Sequence, residues 1–258
     1  MSNYLKSEWY RIFHTKTIYI LGTSLASLAF LTNLLLSLAA KPGFPYATLS
    51  YSLSNLVASP MLFVLAGALI SLLFYENAKK SKSIKNSIAF GIRREDIFLG
   101  QCLITTLVSS LVMLITLAVY LTSAYFLLAH TGPVTVQHLV TEVPATFFIA
   151  VASVISMTYC LYIFDRMIMA LGAWFLFWNI IPQAIYSISL GFKLPWLHRL
   201  AMYLPANFFS SGNMPVNMSQ SSPIWATWPG MLKCLVVGII ATILFSLVGI
   251  STVRKKDI

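Results

Sequence analysis

The residues best equipped to do work in this sequence lie between Glu76 and Gln101, and the work they suit is docking rather than bond-making. The stretch carries Glu76, Lys79, Lys80, Lys82, Lys85, Arg93, Arg94, Glu95 and Asp96 within 21 positions, numbered 76 to 96. Ile84 and Ile88 stand four apart, so a short helix here has one apolar face. Gly91 is placed to end that helix. Glu95 and Asp96 fall near the start of a second short helix, where the helix dipole favours acids. Such a segment can grip a partner protein, or it can be a basic linker lying on anionic lipid headgroups.

A second polar set is scattered through apolar surroundings: Asn33, Asn55, Asn179 and Gln183. Asn179 and Gln183 share one helical face near Pro182. They can line a pathway, or join helices through hydrogen bonds of roughly 0.6–2 kcal/mol each. Catalytic constellations do not assemble. The four histidines, His14, His130, His138 and His198, fall outside the apolar runs, and no His-Glu-x-x-His pair occurs. No Ser is partnered by an intramembrane His, and the spans as read here contain no Asp or Glu that would suit a proton-coupled carrier. Lys233 and the boundary pair Asp165-Arg166 come nearest to intramembrane ionisable residues. Cys102, Cys160 and Cys234 sit in or beside three different runs, without the spacing of a metal site or disulfide framework. No metal site, no catalytic residue and no cofactor of this chain's own are expected.

The elements that must position these residues are membrane spans. The 258 residues are 58% hydrophobic and 9% charged, with a mean hydropathy of +0.81. A soluble domain carries about 25% charged residues. Six apolar runs are each long enough to cross a bilayer: 17–39, 54–75 (with Pro60 near its outer end), 101–128, 144–164, 167–190 (interrupted by Pro182) and 229–253. Continuous runs argue for helices over a barrel. The expected fold is therefore all-α, a polytopic integral membrane protein with six transmembrane helices. Residues 1–16 repeat Tyr4, Leu5, Trp9, Ile12 and Phe13 at three- and four-residue spacing, the pattern of an amphipathic helix lying in the interface. Residues 17–258 form the transmembrane domain, with a cytoplasmic loop at 76–100 and an outer segment at 191–228. The outer segment holds a proline-bounded amphipathic stretch, 194–205, too short to span; it either re-enters the outer leaflet or lies in the interface, anchored by Trp196 and Tyr203. Asn217-Met218-Ser219 matches a glycosylation acceptor by chance.

Orientation follows from Lys and Arg. Of 17 such residues, Lys6, Arg11, Lys16, the basic loop, Arg166 and the tail Arg254-Lys255-Lys256 fall on one side. Lys41, Lys193 and Arg199 fall on the other, and Lys233 lies just inside the sixth span, able to snorkel outward. The asymmetry puts both termini in the cytoplasm. It also explains the net charge of +10 as orientation and lipid contact, so nucleic acid is not an expected partner.

Glu76 at the end of the second span, the short helix, then Gly91 with Arg93 or Arg94 before the third span resemble the first intracellular loop of ABC-2 type (type V) exporter permeases. The amphipathic arm ending in Phe13-His14-Thr15-Lys16, the long outer segment and the basic tail are similar to that family's interface helix, re-entrant outer helices and C-terminus. The size is similar to that of small permeases serving bacteriocin and lantibiotic immunity or amphipathic-peptide export. The resemblance implies that Glu76, Lys80, Ile84, Ile88, Gly91, Arg93 and Arg94 couple the chain to a separate ABC ATPase subunit, which carries ATP and Mg. The absence of a G-x-x-x-x-G-K-[ST] phosphate loop in this sequence fits. It further implies a second copy or related permease as partner, a bacterial plasma-membrane location, and a hydrophobic or amphipathic cargo. A non-transporting membrane anchor that recruits a cytoplasmic partner through the same loop is the alternative; an intramembrane enzyme lacks its side chains.

Overall fold

The computed structural model describes residues 2–41, 46–80, 83–164, 166–210 and 223–255, and gives no side-chain placement for Ser2, Lys80 or Ser210. Asp165, Lys82, Lys256, Asp257 and the Asn217-Met218-Ser219 triplet lie outside the described residues.

The chain is a polytopic all-α membrane protein with six helices long and apolar enough to span: Lys16–Leu38, Met61–Lys79, Arg94–Leu127, Val136–Ile163, Met167–Gly191 and Trp228–Lys255. An even number of crossings puts both ends of the chain on one side, the basic side, called cytoplasmic below by the charge asymmetry. Helix α1 (Ser2–Phe13) is the amphipathic arm, and α2 (Lys16–Leu38) is the first span.

Three spans begin at places other than the sequence suggests. The run from Ser54 divides into α3 (Leu49–Val57) and α4 (Met61–Lys80). The break falls at 58–60 because Pro60 has no amide hydrogen and its ring disfavours helical backbone at Ser59. Past the basic helix α5 (Ser83–Ala89), the expected second short helix and the third span are one rod, α6 (Arg94–Leu127). Its 34 residues reach about 51 Å at 1.5 Å per residue, well beyond a hydrocarbon core of about 30 Å. The fourth span, α7 (Val136–Ile163), starts eight residues before Pro144, at a reciprocal cap between Thr135 and His138.

The fifth span consists of α8 (Met167–Phe175), a π-helical turn (Leu176–Ile180) and α9 (Ile181–Gly191). Pro182 cannot donate to the turn before it, and the wider turn accommodates that loss. Helices α10 (Pro195–Ala201) and α11 (Pro205–Ser210) and a 3-10 turn (Ile224–Ala226) form an outer cap. Helix α12 (Trp228–Lys255) is the sixth span.

The centre of the bundle is α7. It packs against α4 and α12, while α2 packs on α6. Glycine permits the tightest of these contacts. A side chain at Gly238 of α12 would start 2.7 Å from Phe148 Cβ and 2.8 Å from the Ile149 amide of α7. The main apolar core gathers Leu53, Val57, Leu139, Ala145, Ile149, Trp174, Phe208, Phe209 and Trp225 toward the outer half.

Candidate functional site

At the cytoplasmic end, α5 hangs between α4 and α6. Phe90 N donates to Asn86 O (3.0 Å) and Gly91 N to Ile88 O (2.9 Å), and the chain then reverses at Gly91. Gly91 has φ +78°, in the left-handed region where glycine is favoured. Arg93 is the N-cap position of α6, with Glu95 and Asp96 in its first turn.

The two sides of α5 face different surroundings. Ile84 is buried with Tyr4 of the arm, Ala78 of α4 and Ile97 of α6, and Ile88 packs against the same group. The apolar face that could have gripped a partner is therefore spent on the chain's own arm. Lys85, Asn86, Ala89 and Phe90 point away, and Phe90 is 86% exposed. Arg93 is exposed, Arg94 and Glu76 are half-buried, and Lys80 closes α4.

The arm is tied to this helix by charge as well. Glu8 is only 4% exposed. Its Oε1 accepts from Ser83 Oγ (2.8 Å), and its Oε2 accepts from Arg11 Nε (3.1 Å). Tyr4 lies flat against α6 where Gly100 leaves room; a Cβ there would be 2.7 Å from the ring. Burial pushes the Tyr4 hydroxyl above the ordinary tyrosine range, since an enclosed phenolate would lose its hydration. The tail joins the same end: Arg254 Nε donates to Glu95 Oε2 (2.8 Å), linking α12 to the first turn of α6. Tyr162 stacks edge-on with Tyr75 and Phe98 just above. Arm, α4, α5, α6 and α12 thus meet in one connected cytoplasmic platform. Glu8 and Ser83 were not singled out in the sequence. The signal that could have found Glu8 is its i, i+3 spacing to Arg11 on an otherwise apolar face.

The four uncharged pathway candidates do not come together. Asn33 is fully buried where α2, α3 and α6 meet. Its Nδ2 donates to Tyr120 O (2.9 Å) and Ser123 Oγ (2.8 Å), and its Oδ1 accepts from Ser52 Oγ (2.6 Å). Tyr120 OH in turn donates to Ser52 O (2.8 Å). This is interhelical bonding, with no free group to offer a ligand. Asn55 is half-buried on α3. Asn179 lines a cavity of about 330 Å³ with Pro60, Leu65, Trp174 and Phe209. Gln183, one turn on, is exposed. Near the same proline, Asn207 of α11 donates from Nδ2 to Pro182 O (2.8 Å) and Ala201 O (3.0 Å), pinning the cap to α9. A second cavity, of about 260 Å³, opens between α4, α6 and α7 beside Phe63, Gly67, Met113 and Phe147. The polar side chains among its described lining residues are hydroxyls, those of Thr106, Ser109, Ser110 and Thr146.

One ionisable group lies where none was expected. Glu142 sits inside α7, is 0% exposed, and neither carboxyl oxygen has a hydrogen-bond partner among the described residues. Starting the fourth span at Pro144 left this acid in a loop. The helix in fact runs through the proline, so, contrary to the expectation of spans without Asp or Glu, Glu142 lies inside the fourth. Lys233 is half-buried, and its Nζ stands 4.9 Å from the centre of the Tyr203 ring and 5.1 Å from that of Phe208, both in the cap. Among the described residues, no group of three or more His, Cys, Asp or Glu could hold a metal ion.

Fold and platform together define a multi-pass, all-α membrane protein whose polar machinery is concentrated at the two ends of the bundle. No protein-family model matches the chain, and no curated protein matches it significantly.

Proposed function

We propose that this chain is the membrane-spanning permease subunit of an ATP-driven ABC exporter of the ABC-2 type, working in a bacterial plasma membrane. Its cargo is a hydrophobic or amphipathic molecule, with an antimicrobial or other amphipathic peptide as the leading class. ATP hydrolysis belongs to a separate subunit, and a second copy or related permease completes the pathway.

The observation that carries this reading is the two-sidedness of α5. Its buried side is anchored to the arm and to α6, and its other side offers Lys85, Asn86 and Ala89, with Phe90 next along the chain. A large aromatic side chain 86% exposed just past the C-terminal end of a short helix packed on its other side is suited to insertion in a partner's pocket. Because α5 is joined through Ile97 and Glu8 to α6 and the arm, a push on Phe90 moves rods that cross the bilayer. The anchor alternative uses the same surface but needs no motion of those rods.

The test is co-purification of the tagged chain with a phosphate-loop ATPase from its native membrane, followed by ATPase and export assays. Phe90→Glu is expected to cut ATPase association at least tenfold while the chain still inserts and unfolds normally. Full association and export by Phe90→Glu would remove α5 as the coupling element. Association without any export or cargo-stimulated ATPase activity would favour the anchor.

A further inference from the structure

We infer that Glu142 is a binding point for an organic cation, the protonated amine of an amphipathic ligand received beneath the outer cap. That the ligand is exported cargo rests on the exporter reading; that the carboxyl binds a cation does not.

Glu142 lies six residues into α7, about 9 Å below the helix start at 1.5 Å per residue. Leu139 stands three positions before it, Ala145 and Thr146 three and four after, and Ile149 seven after, all buried. These positions share one helical face. Leu139, Ala145 and Ile149 pack in the core that holds Val57, Trp174, Phe208, Phe209 and Trp225. The helical neighbours of the carboxyl are thus part of an apolar core, and among the described residues nothing hydrogen-bonds to it.

A buried acid left without a partner is costly, and the cost is retained where a ligand supplies the missing group. Neighbouring chemistry identifies that group. The cap already holds one ammonium on aromatic faces, Lys233 Nζ over Tyr203 and Phe208, and Phe208 belongs to the same core as Leu139 and Ala145. Phe208, a ring that attracts a cation, and the helical neighbours of a carboxyl that lacks one therefore belong to one core. Both carboxyl oxygens are sealed from solvent in this conformation, so a ligand reaches them only when this packing opens.

The experiment uses the full chain in nanodiscs of zwitterionic lipid, with dodecylammonium as probe and a neutral dodecyl glycoside as control. Binding is followed by tryptophan fluorescence, for which Trp174 and Trp225 are placed in the surrounding core. The wild-type chain is expected to bind the cation at least tenfold more tightly than Glu142→Gln, with glycoside affinity equal in the two. Equal affinity of both chains for the cation overturns the inference. A double-mutant cycle between Glu142→Gln and Lys233→Met, read by unfolding, asks whether the acid is already paired internally. Additive effects support a vacant acceptor, and strong coupling overturns it in favour of an ion pair within the protein. No ATPase is needed, so cation binding can stand if the exporter reading fails, and the reverse.

Discussion

Two glutamates are buried in this protein and they live in opposite circumstances. Glu8, at the cytoplasmic platform, is fully engaged: Ser83 donates to one carboxyl oxygen and Arg11 to the other. Glu142, near the outer cap, touches no donor among the described residues. Burial alone therefore does not separate an architectural acid from a functional one; partnership does. A carboxylate that closes its own hydrogen bonds fastens helices and contributes stability. One that does not costs stability, and it is explained by something that arrives from outside. The uncharged set divides in the same way: Asn33 is closed by three bonds, while Asn179 faces a cavity.

If the distinction holds, substitutions at the two kinds of site change stability with opposite sign. The largest loss is expected at Glu8→Ala, which strands Arg11 and Ser83 and should cost about 2–3 kcal/mol of arm docking. Limited proteolysis of the arm, and unfolding in bicelles, measure it. Next comes Asn33→Ala, which removes three interhelical bonds and should destabilise by about 2 kcal/mol at roughly 0.6 kcal/mol per bond. Denaturant unfolding should show this with the cytoplasmic platform intact. Glu142→Leu should do the reverse, leaving stability unchanged or raising it by about 1–2 kcal/mol, because an unpartnered polar group gives way to an apolar one. A loss as large as that of Asn33→Ala would place a hidden partner beside Glu142.

The smallest effect concerns Tyr4. Its hydroxyl titrates higher folded than unfolded, so the folded state binds more protons than the unfolded chain above the ordinary tyrosine range. By linkage its contribution is whole below about pH 10 and falls as pH rises beyond that. Trp9 fluorescence in the wild-type chain should report arm release in alkali, and Tyr4→Phe should shift that release to higher pH.

How far each feature could be read beforehand depended on whether its cause was local. Gly91 was legible because ending a helix in the left-handed region is a property of one residue and its neighbours. The helix with Ile84 and Ile88 on one face was legible from spacing. What that face touches was not, since Tyr4 and Ile97 reach it from distant parts of the chain. Pro60 and Pro144 show the limit most clearly. Both are prolines near the outer end of a span. At Pro60 the helix breaks; at Pro144 it continues, carried by eight earlier residues and the cap of Thr135 and His138. That cap, together with the packing of α7 against α4 and α12, distinguishes the two, and with that difference goes the location of Glu142.

The sequence by itself determined that this is a six-span helical membrane protein, which side its charges favour, and where its amphipathic arm and short basic helix lie. These follow from hydropathy, charge asymmetry and periodicities of a few residues, all written along the chain. Tertiary structure alone decided that Asn33 is saturated, that Ile84 is covered and Phe90 bare, that Glu8 latches the arm, and that Glu142 is enclosed without a partner. Each depends on which residues dozens of positions apart come within about 3–4 Å, the range of hydrogen bonds and van der Waals contact, and no local pattern encodes that.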